Sequence, residues 1–349
     1  MNCLTFMPQI LKQNRHLTLK QDCTLAFAAA ALLFILPAMP AQGEDKPSVP
    51  PLGIGQESFA QPPAASGDIP AFDPHADAAY GAFQRGFYLT AFELALGRAR
   101  TGDPAAQTLI AELYDKGLGI ARDQKEAAQW YGLAADKDYP EAQFAYAVKL
   151  IEGKSVAKDT AKARVLMEKA AASGHPTAQF NLAQMLVAEK PGQAGFAAAF
   201  PLYLKAANAG VPDAQYALAQ LYAEGLGAER NEQEGRKWLH KAANAGFDTA
   251  QVEFGIWLVN GKGGVRDEKA AQGWMLRAAR SGNVIAQNRL ARMLAQGIGT
   301  EQDAVEAAKW HILSKRSGLG DAWLDRFFEE LDPQVRQIGL ERANRWPSG

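Results

Sequence analysis

One dipeptide, Ala-Gln, returns at residues 106–107, 142–143, 178–179, 214–215, 250–251 and 286–287, each copy 36 residues after the last. A chain with a fixed internal period builds a stack of similar units, each burying its apolar face on its neighbours. The 349 residues therefore need no single closed core. Other columns move with the dipeptide. Four residues after each glutamine stands a small side chain: Ala111, Ala147, Ala183, Ala219, Gly255 and Ala291. A large residue falls later in each unit, as Trp130, Leu166, Leu202, Trp238, Trp274 and Trp310. Five residues beyond it come Ala135, Ala171, Ala207, Ala243 and Ala279, and the column then fails at Lys315.

Punctuation gives these columns a structure. Pro104, Pro140, Pro176 and Pro212 suit the first turn of a helix, where a missing N–H costs nothing and φ is already helical. Gly117, Gly153, Gly225, Gly261 and Gly297 suit a left-handed cap ending that helix. Asp123, Asp159, Asn231, Asp267 and Asp303 can cap a second helix, with Glu126, Glu234 and Glu306 three residues on in capping-box register. Gly174, Gly210, Gly246, Gly282 and Gly318 end it. The unit is helix–turn–helix, with small columns letting the axes approach and the Trp/Leu column filling the remaining space.

The run PDAQYALAQLYAEGLGAERNEQEGRKWLHKAANAGF at 212–247 resembles a Sel-1-like repeat, a relative of the tetratricopeptide repeat. The resemblance covers residues 104–319 in six copies. It implies an all-α, right-handed superhelical solenoid, which with a partial unit at 76–103 spans residues 76–319. Fold alone names no activity.

Two departures carry expectations. The third unit has Glu189 and Pro191 where others have loop glycines, and Pro201 falls well inside its second helix. An interior proline costs about 3 kcal/mol unless the helix kinks or starts late, so a local change of curvature is expected there. Residues 320–349 drop the loop. There, Asp332-Pro333 opens a helix carrying Val335, Ile338, Ala343 and Trp346, expected to cover the end of the stack.

The ends of the chain differ in composition. Lys12, Arg15 and Lys20 precede an apolar run from Leu25 to Leu36 and then the small-residue exit Ala41-Gln42-Gly43. Residues 1–43 thus read as a secretory signal peptide, placing the product in the periplasm or outside the cell. The alternative is an uncleaved membrane anchor, although the run is short for a span. Both cysteines, Cys3 and Cys23, lie in this leader. A cleaved product has neither a disulfide nor a thiolate ligand. Residues 44–75 are rich in proline and alanine and read as a tether.

Charge and motifs limit function. Cleavage leaves 34 basic and 37 acidic residues, no field for nucleic acid, and membrane contact only through an uncleaved leader. Ser155-Val156-Ala157-Lys158 matches the S-x-x-K of penicillin-recognising enzymes but lies in a turn, without the companion S-D-N and K-T-G elements. Some cysteine-rich members of the resembling family bind or hydrolyse β-lactams, and this chain lacks their cysteine pairs. Gly261-Lys262-Gly263-Gly264 has the wrong spacing for a phosphate loop. His75, His175, His240 and His311 occupy different columns, so no metal or cofactor is expected.

What remains is a stripe on the first helix of each unit, at i, i+4 and i+7. It comprises Phe144, Val148 and Ile151, then Phe180 and Val187, then Tyr216, then Val252, Ile256 and Val259. In superhelices of the resembling family this line faces the concave groove. The expectation is a non-enzymatic protein-binding scaffold or regulator of the cell envelope. Its partner would be a protein segment, such as part of a membrane sensor. The alternative is a cell-wall-directed binder or hydrolase.

Overall fold

The computed structural model describes residues 77–346, so the leader, the tether and His75 lie outside the described residues. Among the described residues every regular element is a helix, and neighbours in sequence are neighbours in space. A short α1 (Ala78–Gln84) and α2 (Tyr88–Arg100) form the partial first unit. Six units follow, each with a first and a second helix. The first helices are α3 (Pro104–Lys116), α5 (Pro140–Glu152), α7 (Pro176–Glu189), α9 (Pro212–Glu224), α11 (Asp248–Asn260) and α13 (Val284–Gln296). The second helices are α4 (Gln124–Ala135), α6 (Thr160–Ala172), α8 (Gln193–Asn208), α10 (Glu232–Asn244), α12 (Glu268–Arg280) and α14 (Ala304–Arg316). The chain ends with α15 (Ala322–Glu330) and α16 (Pro333–Asn344). The result is a right-handed α/α solenoid.

The local chemistry is where the punctuation put it. Gly117, Gly153, Gly225, Gly261 and Gly297 all take left-handed φ between 67° and 71°, each ending a first helix. Asp123, Asp159, Asn231, Asp267 and Asp303 each accept a backbone N–H from the first turn of the second helix. At Glu234 and Glu306 the reciprocal half of the capping box is replaced. The Glu234 carboxylate takes Lys237, and that of Glu306 takes Lys309 and Arg342. A nearby cation outcompetes one cap N–H.

The columns become the core. Ala111, Ala147, Ala183, Ala219 and Ala291 have no exposed surface, nor does Ala243 or Ala279. The large column divides: Leu166, Trp238 and Trp310 are buried, while Trp130, Leu202 and Trp274 are half-buried.

The third unit departs in an unexpected direction. Its loop shrinks to residues 190–192, and α8 starts three residues earlier in the unit than its counterparts, not later. The helix is continuous across Pro201. The early start is possible because of Gly195, where a Cβ would stand 1.9 Å from the Lys190 carbonyl oxygen. Phe196 and Tyr203 fill the space beneath and are buried.

At the C-terminal end α16 packs against α14. Gly339 and Ala343, four residues apart, make the contact; a Cβ on Gly339 would meet that of Ala308 at 2.7 Å. Trp346 sets its ring edge-to-face with Trp310, centroids 4.9 Å apart. Ile338, expected to face the stack, is 43% exposed instead, because the small pair one residue further along holds that face.

Candidate partner-binding layer

The first helices form one layer of the solenoid, joined by contacts and hydrogen bonds from unit to unit. α3 packs beside α5, and α13 beside α15. Lys149 of α5 bonds Asp115 of α3 and Gln124 of α4. Tyr216 and Gln220 of α9 reach Glu253 of α11. Direct bridging ties this layer together from unit to unit.

The repeated glutamine has a role that its column alone did not disclose. Gln107, Gln179, Gln215, Gln251 and Gln287 are buried, and each Nε2 donates to a backbone carbonyl eight residues back, at 3.0–3.3 Å. Those acceptors are Ala99, Ala171, Ala207, Ala243 and Ala279, in the last turn of the preceding second helix, where carbonyls lack an intrahelical donor. Each glutamine therefore fastens one unit to the next. Gln143 differs, donating at 2.9 Å to the side chain of Asp138. Asp138 stands where the later units carry Gly174 and Gly210, and it holds φ 56° as a non-glycine residue. A hydrogen bond from Lys169 keeps its carboxyl below the usual range.

The stripe divides by burial. Phe144, Val148, Ile151, Phe180, Tyr216, Ile256 and Val259 are half-buried, each with some surface left. Val187 and Val252 are 1% and 7% exposed and offer a partner almost nothing. The aromatic members are braced by the following element. Phe144 stacks on His175 at 4.7 Å, Phe180 meets the edge of Tyr203 at 5.8 Å, and Tyr216 tilts on Phe247 at 5.2 Å. Such bracing fixes the stripe's shape before anything binds.

The other sequence candidates are placed as follows. Ser155 and Lys158 lie in the loop between α5 and α6, ahead of the helix start at Thr160. Lys262 sits over the Trp257 ring, and its carbonyl accepts from Arg236, so its glycine-rich segment is an ordinary inter-helix turn. His175 Nδ1 accepts the Ala178 N–H and caps α7, and burial pushes its pKa down. His240 stacks on Phe254 and is likewise lowered by burial. His311 is 2% exposed, with Nε2 3.1 Å from Asp325 and Nδ1 unpartnered among the described residues. Burial, with the nearby Lys315 charge, pushes its pKa down despite Asp325. No group of three or more His, Cys, Asp or Glu converges among the described residues.

Comparison with known proteins gives the following. The Sel1 repeat model matches residues 104–139, 140–175, 176–211, 212–247, 249–283 and 284–319. The structure is similar to a Sel1 repeat protein from Oxalobacter formigenes, at 25% identity and a TM-score of 0.59, covering 71% of this chain and all of that one. It is also similar to a protective antigen of uropathogenic Escherichia coli displaying an SLR fold. Identity there is 25% and the TM-score 0.64, over 77% of this chain and 60% of that one. No curated protein matches the sequence.

Proposed function

Because this chain belongs to the Sel1 repeat family, whose repeats generally mediate protein–protein interaction, we propose that it is a non-enzymatic scaffold or regulator of the cell envelope. It holds a segment of another protein along the first-helix layer. The observation that carries this reading is the braced, half-buried apolar stripe crossing α5, α7, α9 and α11. A contiguous apolar track on a rigid support is the usual form of a segment-binding surface. The leader read at residues 1–43 supports an exported location, where a membrane sensor or another envelope protein is the class of partner.

The test uses a photo-reactive side chain in place of Val148 or Ile256 on the stripe, and in place of Leu133 or Val165 on second helices. Leu133 and Val165 are 50% and 52% exposed. In the native envelope, protein adducts are expected from the stripe positions and not from the outer ones. Adducts from the outer positions alone, or from neither set, overturn the reading. Turnover of nitrocefin by the purified chain would favour the hydrolase alternative.

A further inference from the structure

The two helix layers have opposite charge. The first helices α5, α7, α9 and α11 carry seven acidic residues and one lysine, whereas the second helices α6, α8, α10 and α12 carry ten basic residues and four acidic ones. The single lysine on these four first helices, Lys149, is held by Asp115. No unpaired cation therefore remains on these four first helices, while Glu141, Glu152, Asp213 and Glu253 have no cationic partner among the described residues.

Position on the helix gives these carboxylates a pattern. Glu141, Phe144, Val148 and Glu152 stand at i, i+3, i+7 and i+11, one face of α5. Asp213, Tyr216, Gln220 and Glu224 repeat the register on α9. The stripe is thus edged by acid at both ends of α5 and at the start of α9, whereas Glu224 already lies 3.9 Å from Lys262. Glu253 lies inside the edges. Its carboxylate accepts from Tyr216 Oη at 2.8 Å, Gln220 Nε2 at 2.7 Å and Trp257 Nε1 at 3.2 Å, three neutral donors. The comparable carboxylate at the C-terminal seam, Asp321, accepts from two of the three guanidinium nitrogens of Arg292 and from the amide of Asn288. Neutral donors hold Glu253 in place without cancelling its charge, so a cation arriving there meets a carboxylate whose ordering cost is already met.

We propose that the segment held by the first-helix layer is a basic amphipathic stretch of protein. Its apolar side chains lie on the stripe, its lysines or arginines meet the acidic edges, and one of them pairs with Glu253. This rests on the reading of that layer as the docking surface. The occupant proposed is another protein, and a second copy of this chain, whose second helices are basic, is the alternative that the experiment separates.

The probe is a short synthetic peptide alternating leucine and lysine, compared with leucine–glutamate and serine–lysine counterparts. Binding to the purified full chain is read by fluorescence anisotropy at low and high salt. The leucine–lysine peptide is expected to bind at least about tenfold more tightly than either counterpart and to weaken severalfold as salt rises. Glu253→Gln is expected to weaken it about fivefold with an unchanged helical melt, and Glu232→Gln on α10 to leave it unaltered. Equal binding of the lysine and glutamate peptides, or an unaffected Glu253→Gln, overturns the charge assignment and leaves the docking surface standing. Failure of both leucine peptides removes the docking surface itself. Self-association that competes with the peptide overturns the choice of partner.

Discussion

The two ends of the solenoid are finished differently. At the C-terminal end α16 lies over α14, Trp346 is set against Trp310, and Lys309 sits 4.4 and 4.3 Å from those two rings. Arg342 adds an ion pair to Glu306. At the other end α2 buries only Ala91, Ala95 and Ala99, while Tyr80, Phe87, Leu89 and Leu94 are 47–60% exposed. A stack stabilised by neighbours has one unsupported face at each terminus. Among the described residues, one is closed by a dedicated helix and a tryptophan pair, and the other presents apolar side chains. Stability should therefore be concentrated toward the C-terminal end.

The sharpest way to break that asymmetry is Trp310→Ala, which empties a site 1% exposed and leaves Trp346 without its partner. A loss of about 3–5 kcal/mol is expected in denaturant unfolding. Gly339→Val should cost about 1–3 kcal/mol, because its side chain has to displace Ala308 or lift α16 away. Hydrogen exchange should then show α16 losing protection ahead of α9 and α11.

Acid offers a gentler probe. The folded pKa of His311 lies below its ordinary value, so on acidification the unfolded chain takes up that proton first. Its contribution is constant above about pH 6.5 and declines as pH falls below that value. Asp325 and Lys315 face the ring, together with the more distant Asp321, whose carboxyl stays ionised in this window. There, burial is outweighed by hydrogen bonds from Arg292 and Asn288. The melting temperature of the native chain should drop more between pH 7 and pH 5 than that of His311→Gln. Equal drops would remove His311 as the cause. The smallest effect belongs to the N-terminal end: Leu89→Lys should change stability by no more than about 0.5 kcal/mol. A larger loss would mean that another surface covers this face.

Legibility followed chain distance. Asp303 capping α14 and Gly297 ending α13 involve groups within four residues of one another, and both were readable from spacing. So was Asp332-Pro333 as the start of α16. The stripe was readable as a line on the first helices, but the burial of Val187 and Val252 was not, since it depends on packing from other elements. The role of Gln251 was hidden for a similar reason: its acceptor, Ala243, belongs to the preceding second helix, beyond a turn. A signal did exist, because a buried amide repeated beside a buried alanine has to find a backbone partner.

The sequence by itself determined the 36-residue unit, the helix pair within it and the residues that start and stop each helix, because caps and turns are decided by groups a few bonds apart. Only the tertiary structure decided which apolar side chains keep exposed surface, which carboxylates find cations and that the third unit starts α8 early and runs it unbroken through Pro201. Those outcomes depend on what stands across a helix seam. Two residues at the same position of different units, such as Ile151 and Val187, can share a register and still meet different neighbours.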